Sequence, residues 1–346
     1  TAQAIGEVGY APMVELVRQS ERIDTILLIS SLANESRARK LADEMAGIVA
    51  QCDKPILLST YTTATPAAIA ALGAAGIPCY TAMPSCARAI KALVDYAAFQ
   101  QRLAGRVEPP ATPAAAREPV ARALAGSGSA LTEYAAKALF AHYGVPVPPE
   151  ALATSEDEAV AAAARIGGAV ALKVQSPDIL HKTEAGAVLL NLVGEEAVRE
   201  GYRRVLANAA AAVPTARIDG VLVQAMARPG VEMILGVTRD PDFGPMLMVG
   251  LGGIHVEVLK DIVFAPVPLA VDEALDLVGR LKGAALLDGV RGAKPADKAA
   301  LAELIAALSR FAADHADQIA EIDLNPVIVH TEGEGLTVAD ALIVKR

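Results

Sequence analysis

One polar stretch of an otherwise apolar chain holds a lysine and a histidine: Ala171-Leu172-Lys173-Val174-Gln175-Ser176-Pro177-Asp178-Ile179-Leu180-His181-Lys182-Thr183-Glu184-Ala185-Gly186. Lys173 sits in a run that reads as a strand, Ser176-Pro177-Asp178 reads as a turn, and small residues lead into a second strand. A lysine there can neutralise phosphate as a compact point charge on a flexible stem. It can equally coat apolar surface with that stem. An imidazole such as His181 is a competent nucleophile towards phosphoryl groups. The stretch therefore reads as a phosphate-holding site or as a plain polar hairpin.

A second constellation is Asp323-Leu324-Asn325. Alternate side chains of a strand share a face, so Asp323 and Asn325 point the same way, with Glu321 beside them. A hard cation such as Mg²⁺ takes oxygen ligands from one or two side chains plus phosphates. The alternative is the solvent face of an edge strand. Pro326 is expected to end the pairing there. A third candidate is the turn Gly250-Leu251-Gly252-Gly253, where glycine would let backbone N–H groups approach phosphate, or simply close a tight turn. Glu257 and Asp261 follow it and read as solvated charges. His142, His315 and His330 lack such contexts. His255, just past the glycine turn, is the rival of His181.

These residues need elements to hold them. Over the first hundred residues strand and helix alternate: helix at 13–20, strand at 24–30, helix at 34–51, strand at 55–59, helix at 65–76, strand at 78–81, helix at 85–103. That alternation predicts a doubly wound parallel sheet. Three strands make a small sheet, so the domain is expected to start upstream of Thr1. Residues 104–129, with Pro109-Pro110, Pro113 and Gly126-Ser127-Gly128, read as a linker with one helical turn. From 130 onwards, helices at 131–143, 155–166, 194–212, 272–281 and 296–315 flank strands at 169–174, 220–226, 231–238 and 245–250. A terminal strand pair follows at 319–330 and 335–344. Antiparallel strands with helices in two lobes predict an α+β domain with a cleft.

Composition bounds the function. The 346 residues, 53% of them hydrophobic, fit a soluble α/β protein of two or three domains. A net charge of −9 argues against nucleic acid as partner. No apolar run is long enough to span a bilayer. Cys52, Cys79 and Cys86 have no metal-ligand spacing and read as reduced thiols, which points to the cytoplasm.

From about residue 130 to the end the chain resembles the ATP-grasp domain of NDP-forming (ADP-forming) acyl-CoA synthetases, relatives of the succinyl-CoA synthetase β subunit. Four ordered segments carry the resemblance: 172–186, 231–245, Gly289-Val290-Arg291-Gly292, and Glu321-Ile322-Asp323-Leu324-Asn325-Pro326. Residues 1–103 more weakly resemble the flavodoxin-like module that precedes it, through Ala71-Leu72-Gly73-Ala74-Ala75-Gly76-Ile77-Pro78 and the helix after it.

The resemblance implies ATP or ADP with Mg²⁺ as cofactors, and CoA as a substrate of the complete enzyme. Lys173 matches a nucleotide-binding lysine. Gln224 and Met226 fall at an adenine-binding hinge, with Glu232 on the strand beyond. Gly252 and Gly253 fall in the glycine turn, and Arg239 and Arg291 at anion-binding positions. Asp323, Asn325 and Asp340, the last on the partner strand of the terminal hairpin, match metal ligands. His181 matches a phosphate carrier in the reaction acid + CoA + ATP ⇌ acyl-CoA + ADP + phosphate. Single-chain members of the family begin with a CoA-binding domain and a domain bearing the first phosphohistidine, and neither is matched here. The chain is therefore expected to be the carboxy-terminal part of a longer enzyme or a subunit that needs a partner, and an oligomer is expected. Two other readings are a non-catalytic nucleotide-sensing module and a carboxylate–amine ligase. The His181 motif argues against the ligase.

Overall fold

The computed structural model describes residues 9–126, 128–179, 182–253, 260–290 and 292–346. The chain forms two compact units, Thr1–Arg106 and Val107–Arg346.

The first unit alternates as expected: α1 (Tyr10–Arg18), β1 (Ile26–Ser30), α2 (Glu35–Val49), β2 (Ile56–Thr60), α3 (Pro66–Ala74), β3 (Cys79–Tyr80) and α4 (Met83–Ala104). The strands pair in parallel in the order β1-β2-β3. The central strand β2 is buried along its whole length, which is why its sequence is apolar or small throughout. Side-chain caps start the helices: Asn34 accepts from the Arg37 N–H and Thr65 from the Ala68 N–H. Leu28, Met45, Leu58 and Leu72 centre the core.

The second unit opens with α5 (Ala114–Gly126), β4 (Ala130–Leu131) and α6 (Glu133–Ala141). Helix α5 corrects the linker expectation for this stretch. It is a 13-residue helix whose Val120 and Leu124 are fully buried in the unit's main core. Their i, i+4 spacing puts both on one face, and the prolines around them masked that periodicity.

A small lobe follows: β5 (Glu150–Ala153), α7 (Glu156–Ile166), β6 (Val170–Gln175), β7 (Val188–Leu192), α8 (Glu195–Ala212) and β8 (Gly220–Ala225). Its sheet runs β5-β8-β6-β7, antiparallel throughout. Apolar residues of α7 and α8 cover it. Strand β5 was not expected, because Pro146 to Pro149 hides its start.

The larger sheet is built from β9 (Val231–Asp240), β10 (Gly244–Leu251), β11 (Ile262–Pro266), β12 (Ile319–Val329), β13 (Leu336–Val338) and β14 (Leu342–Lys345). Its order is β11-β10-β9-β12-β14-β4, with β13 also on β12. Helices α9 (Val271–Gly279) and α10 (Lys298–Asp314) pack on it with α6.

The terminal strand pair differs from expectation in two ways. Pro326 does not end the pairing. Leu324 pairs with Leu235 and Val327 with Met233, so one extra residue forms a bulge and the strand runs on to Val329. The return strand is also broken. Ala339, Asp340 and Ala341 lie between β13 and β14, so Asp340 sits on a loop and not on a strand.

Asp297 ties α10 to this hairpin. One carboxylate oxygen accepts from the Ala300 N–H at 3.0 Å, and the other from the Gly333 and Gly335 N–H groups, each at 3.0 Å. Asp297→Ala removes a cap and two loop anchors. It is expected to cost about 2 kcal/mol, read as a lower urea midpoint at unchanged m-value.

Candidate functional site

Strand β6 carries Lys173 on the small lobe, and β12 carries Asp323 on the large one. A pocket of about 240 Å³ lies between them, and Glu133, Gln175, Lys182, Asp323, Asn325 and Asp340 all line it. The β12 bulge begins just past Asp323. It leaves Asp323 and Asn325 on one face while Ile322, Leu324 and Val327 stay in the core. The expected shared face is therefore present. Glu321 is exposed and does not line the pocket. Asp340 joins the two ligand candidates from its loop.

Beneath the pocket is a buried ionic cluster. Glu133, wholly buried in the first turn of α6, accepts from the ammonium groups of Lys137 at 2.7 Å, Lys173 at 2.8 Å and Lys182 at 2.7 Å. Lys137 and Lys173 also donate to the Ala339 carbonyl, at 3.2 and 2.6 Å. Gln224 donates to Glu133 at 3.3 Å and to Glu150 at 2.8 Å. Lys182 reaches Asp340 at 2.8 Å. The cluster thus stitches α6, β5, β6, β8 and the 339–341 loop together under the site.

Electrostatics follow from these distances. Burial alone would raise the Glu133 carboxyl, but Lys173, Lys182 and Lys137 outweigh it and hold its pKa well below the ordinary range. Burial lowers the Lys173 pKa against the pull of Glu133 and Asp340. Lys182 is also buried, yet Glu133 and Asp340 raise its pKa. Asp323 is pushed up to about 6 by burial and by the carboxylates of Asp340 and Glu321. Asp340 is raised by burial and by Glu133. Carboxylates held against their own repulsion invite a cation. Among the pocket's oxygen donors, the Asp323 and Asp340 carboxylates and the Asn325 amide suit a hard ion such as Mg²⁺ completed by phosphate oxygens. Among the described residues no group of three or more His, Cys, Asp or Glu side chains has metal-binding geometry. Such an ion would complete its shell with water or phosphate oxygens.

The other sequence candidates fall elsewhere. Lys173 lies under the pocket rather than on its wall, fully engaged by Glu133 and Ala339. Gln224 belongs to the buried cluster. At the proposed hinge the Ala225 N–H donates to the Pro149 carbonyl and the Met226 N–H to Ala169, so both donors are occupied within the fold. Glu232, Gly252 and Gly253 form a separate corner. The Gly252 N–H donates to the Glu232 carbonyl at 2.7 Å. A Cβ on Gly252 would meet the Glu232 carbonyl carbon at 2.9 Å, and one on Gly253, at φ +64°, would meet the Glu232 carboxylate at 2.9 Å. Close packing on β9 therefore explains these glycines, and the Gly252 N–H does not serve a phosphate here.

Asp323 pairs with Gly236, so Glu232, four residues along β9, shares its face about 13 Å away. Arg239 lies three residues the other way, about 10 Å of strand, and on the opposite face. It is exposed and bonds the Ala316 carbonyl at 3.5 Å. The structure does not bring it to the pocket. His181, Arg291, His255 and Glu257 lie outside the described residues. Asp261 is not a solvated charge: it is buried and accepts from the Lys282 and Gly283 N–H groups at 2.9 and 2.7 Å. His315 bonds Tyr143 and His330 bonds Thr337, both as buried structural groups.

Sequence reasoning missed Glu133, Lys137, Glu150 and Lys182. A signal was available for the first two. Thr132 caps α6, and Glu133 and Lys137 are an i, i+4 acid–base pair on the face that also holds Ala136 and Phe140, which are buried.

A family model described as an ATP-grasp domain matches residues 122–344. The β subunit of an ADP-forming acetate–CoA ligase II from Pyrococcus furiosus is 43% identical over 223 residues, covering 64% of this chain and 94% of that protein. An ADP-forming acetate–CoA ligase I from Archaeoglobus fulgidus is 35% identical over 326 residues, covering 94% of this chain but only 46% of the relative. The chain therefore spans nearly all of one curated relative and about half of the other. Among solved structures, acetyl-coenzyme A synthetase 1 of Ca. Korarchaeum cryptofilum, with coenzyme A, Ca-AMPCP and HgCl⁺, matches with a TM-score of 0.63 and 41% identity. It covers 67% of this chain and all of that one. The same enzyme with coenzyme A and Mg-AMPPCP, its phosphohistidine segment pointing towards the nucleotide site, matches at 0.57 and 38% over the same shares.

Proposed function

This chain belongs to the ATP-grasp family, in the branch of the ADP-forming acyl-CoA synthetases, and on that premise we propose that its second unit binds ATP or ADP with Mg²⁺ in the Asp323 pocket. The single observation that carries the reading is the meeting of Asp323, Asn325, Asp340 and Lys182 in one pocket between two antiparallel sheets, with Lys173 buried beneath it. Asp323 and Asn325 would hold the metal, with Asp340 as a second carboxylate. Bound Mg²⁺ supplies charge neutralisation for phosphoryl transfer. Lys173 and Lys182 add positive charge from the small lobe. Glu133 fixes both ammonium groups and keeps them from drifting into water.

The whole reaction we propose is acid + CoA + ATP ⇌ acyl-CoA + ADP + phosphate, with His181 as the side chain of this chain that takes up phosphate. What supports that role is its place between the Asp178 turn and Lys182, one residue from a lysine of the pocket. CoA-binding and phosphohistidine partners complete the reaction, and the cytoplasm is the proposed location.

Calorimetry with ADP, with and without Mg²⁺, tests the site. Binding should require the metal and weaken about tenfold or more in Asn325→Ala, which loses one metal-facing oxygen. Arg239→Ala should leave the affinity within about twofold, because that side chain is on the opposite face of β9. Metal-independent binding, or a large loss in Arg239→Ala, would place the nucleotide elsewhere.

A further inference from the structure

Lys182 occupies an unusual position for a cation beside a metal pocket. Its ammonium lies between two carboxylates, 2.7 Å from Glu133 Oε2 and 2.8 Å from Asp340 Oδ1, with its side chain only 10% exposed. Glu133 is independently neutralised by Lys137 and Lys173, so it does not need Lys182. Asp340 is different: among the described residues Lys182 is the only cation within ion-pair distance of it.

Asp340 also lines the pocket with Asp323 and Asn325. Asp340 Oδ1 takes both the Lys182 ammonium and the Ala341 N–H, each at 2.8 Å, and a divalent ion on the same carboxylate would lie close enough to that ammonium for the two cations to repel.

We propose that Lys182 is the resident counter-ion of the metal pocket, and that a divalent cation binds by taking Asp340 from it. The inference rests on the metal reading above and deepens it. The released ammonium keeps a partner in Glu133 Oε2, 2.7 Å away. Its turn is held at the far end by main-chain groups: the Ala187 N–H donates to the Lys182 carbonyl at 2.9 Å, and Asn208 holds the Gly186 carbonyl at 2.8 Å. Among the described residues of the turn, the Lys182 side chain is the ionic tether to Glu133 and Asp340. When a metal takes Asp340, the ammonium keeps Glu133 or swings towards the phosphates that arrive with the metal. Metal arrival thereby loosens one of the side-chain links between the turn next to His181 and the 339–341 loop.

The sign of one substitution separates this role from that of an ordinary phosphate-binding lysine. Mn²⁺ alone, without nucleotide, is the probe, titrated by electron paramagnetic resonance into the whole chain. Lys182→Met keeps the stem and removes the charge. Exchange predicts Mn²⁺ affinity about tenfold higher in Lys182→Met than in the wild type, and near wild type in Lys182→Arg. The gain must vanish when Asp340→Asn is added, since the competition is for that carboxylate. Equal or weaker Mn²⁺ binding in Lys182→Met overturns the exchange. So does a gain that persists in the Asp340→Asn background, which would reflect net charge alone. If no protein binds Mn²⁺ and Asp323→Asn changes nothing, the metal reading itself falls, and the exchange with it. Hydrogen exchange gives a readout independent of affinity: the amides of 183–187 should exchange faster in Lys182→Met and in Mn²⁺-loaded wild type than in metal-free wild type.

Discussion

Replacing Glu133 with Ala is expected to destabilise the second unit by about 3–5 kcal/mol, a larger loss than any surface change. The carboxylate is wholly buried and touches three ammonium groups at 2.7 to 2.8 Å. Without it, Lys137 and Lys173 keep only the Ala339 carbonyl and Glu150 as near partners, in surroundings where an uncompensated charge is costly. Glu133→Gln keeps the shape and one acceptor, so it should lose less through packing but still lose the charge. Chemical denaturation reads both.

The acid limb of the stability curve gives a second check. The Glu133 pKa is depressed, so its contribution is complete above the unfolded value, about 4.3, and is lost as pH falls through the lower folded value. Wild type should therefore lose stability more steeply than Glu133→Gln as pH drops below about 4. Parallel acid limbs would mean that the lysines do not hold this carboxylate.

Asp323→Asn is expected to stabilise the metal-free protein while destroying its metal site. The sign here is opposite to that of Glu133. The Asp323 carboxyl is pushed up to about 6 by burial and by Asp340 and Glu321. Its unfolded value is about 3.9, so the protonated form favours the folded state below that value, and this stability is lost as pH rises to about 6. With partial solvent screening the loss between pH 4 and 7 is on the order of 1–2 kcal/mol. Asparagine does not ionise, so the variant should be more stable than wild type at pH 7 and equally stable near pH 4. Its affinity for Mg²⁺ with ADP should fall at least about 100-fold, since removing even an outer-shell partner costs about 10–100-fold. A variant less stable at pH 7 would show that Asp323 is not crowded by carboxylates, and one that keeps its metal-dependent binding would show that it is not a ligand. Stability sacrificed at a binding residue is the ordinary signature of a functional site.

Much of this protein could be read from its sequence, because the signals were local. Alternating apolar strands and capped helices in the first hundred residues specify a parallel sheet through β-branched runs, Thr65-Pro66 and Gly76. The step of two from Asp323 to Asn325 specifies a shared face, whatever the sheet around it. Four ordered segments, those around Lys173 and Asp323 among them, indicated the family. Tertiary structure decided the rest, because those contacts join residues far apart in the chain. Glu133 and Lys182 are 49 positions apart, and Lys173 and Ala339 are 166 apart. No periodicity links such pairs. Helix α5 counted as a linker until its Val120 and Leu124 found the core. Arg239 has the right charge, but an odd number of steps along β9 turns it away from Asp323. Charge type and spacing are properties of the sequence. Which carboxylate holds which lysine depends on two sheets meeting, and burial then turns those pairings into shifted pKa values.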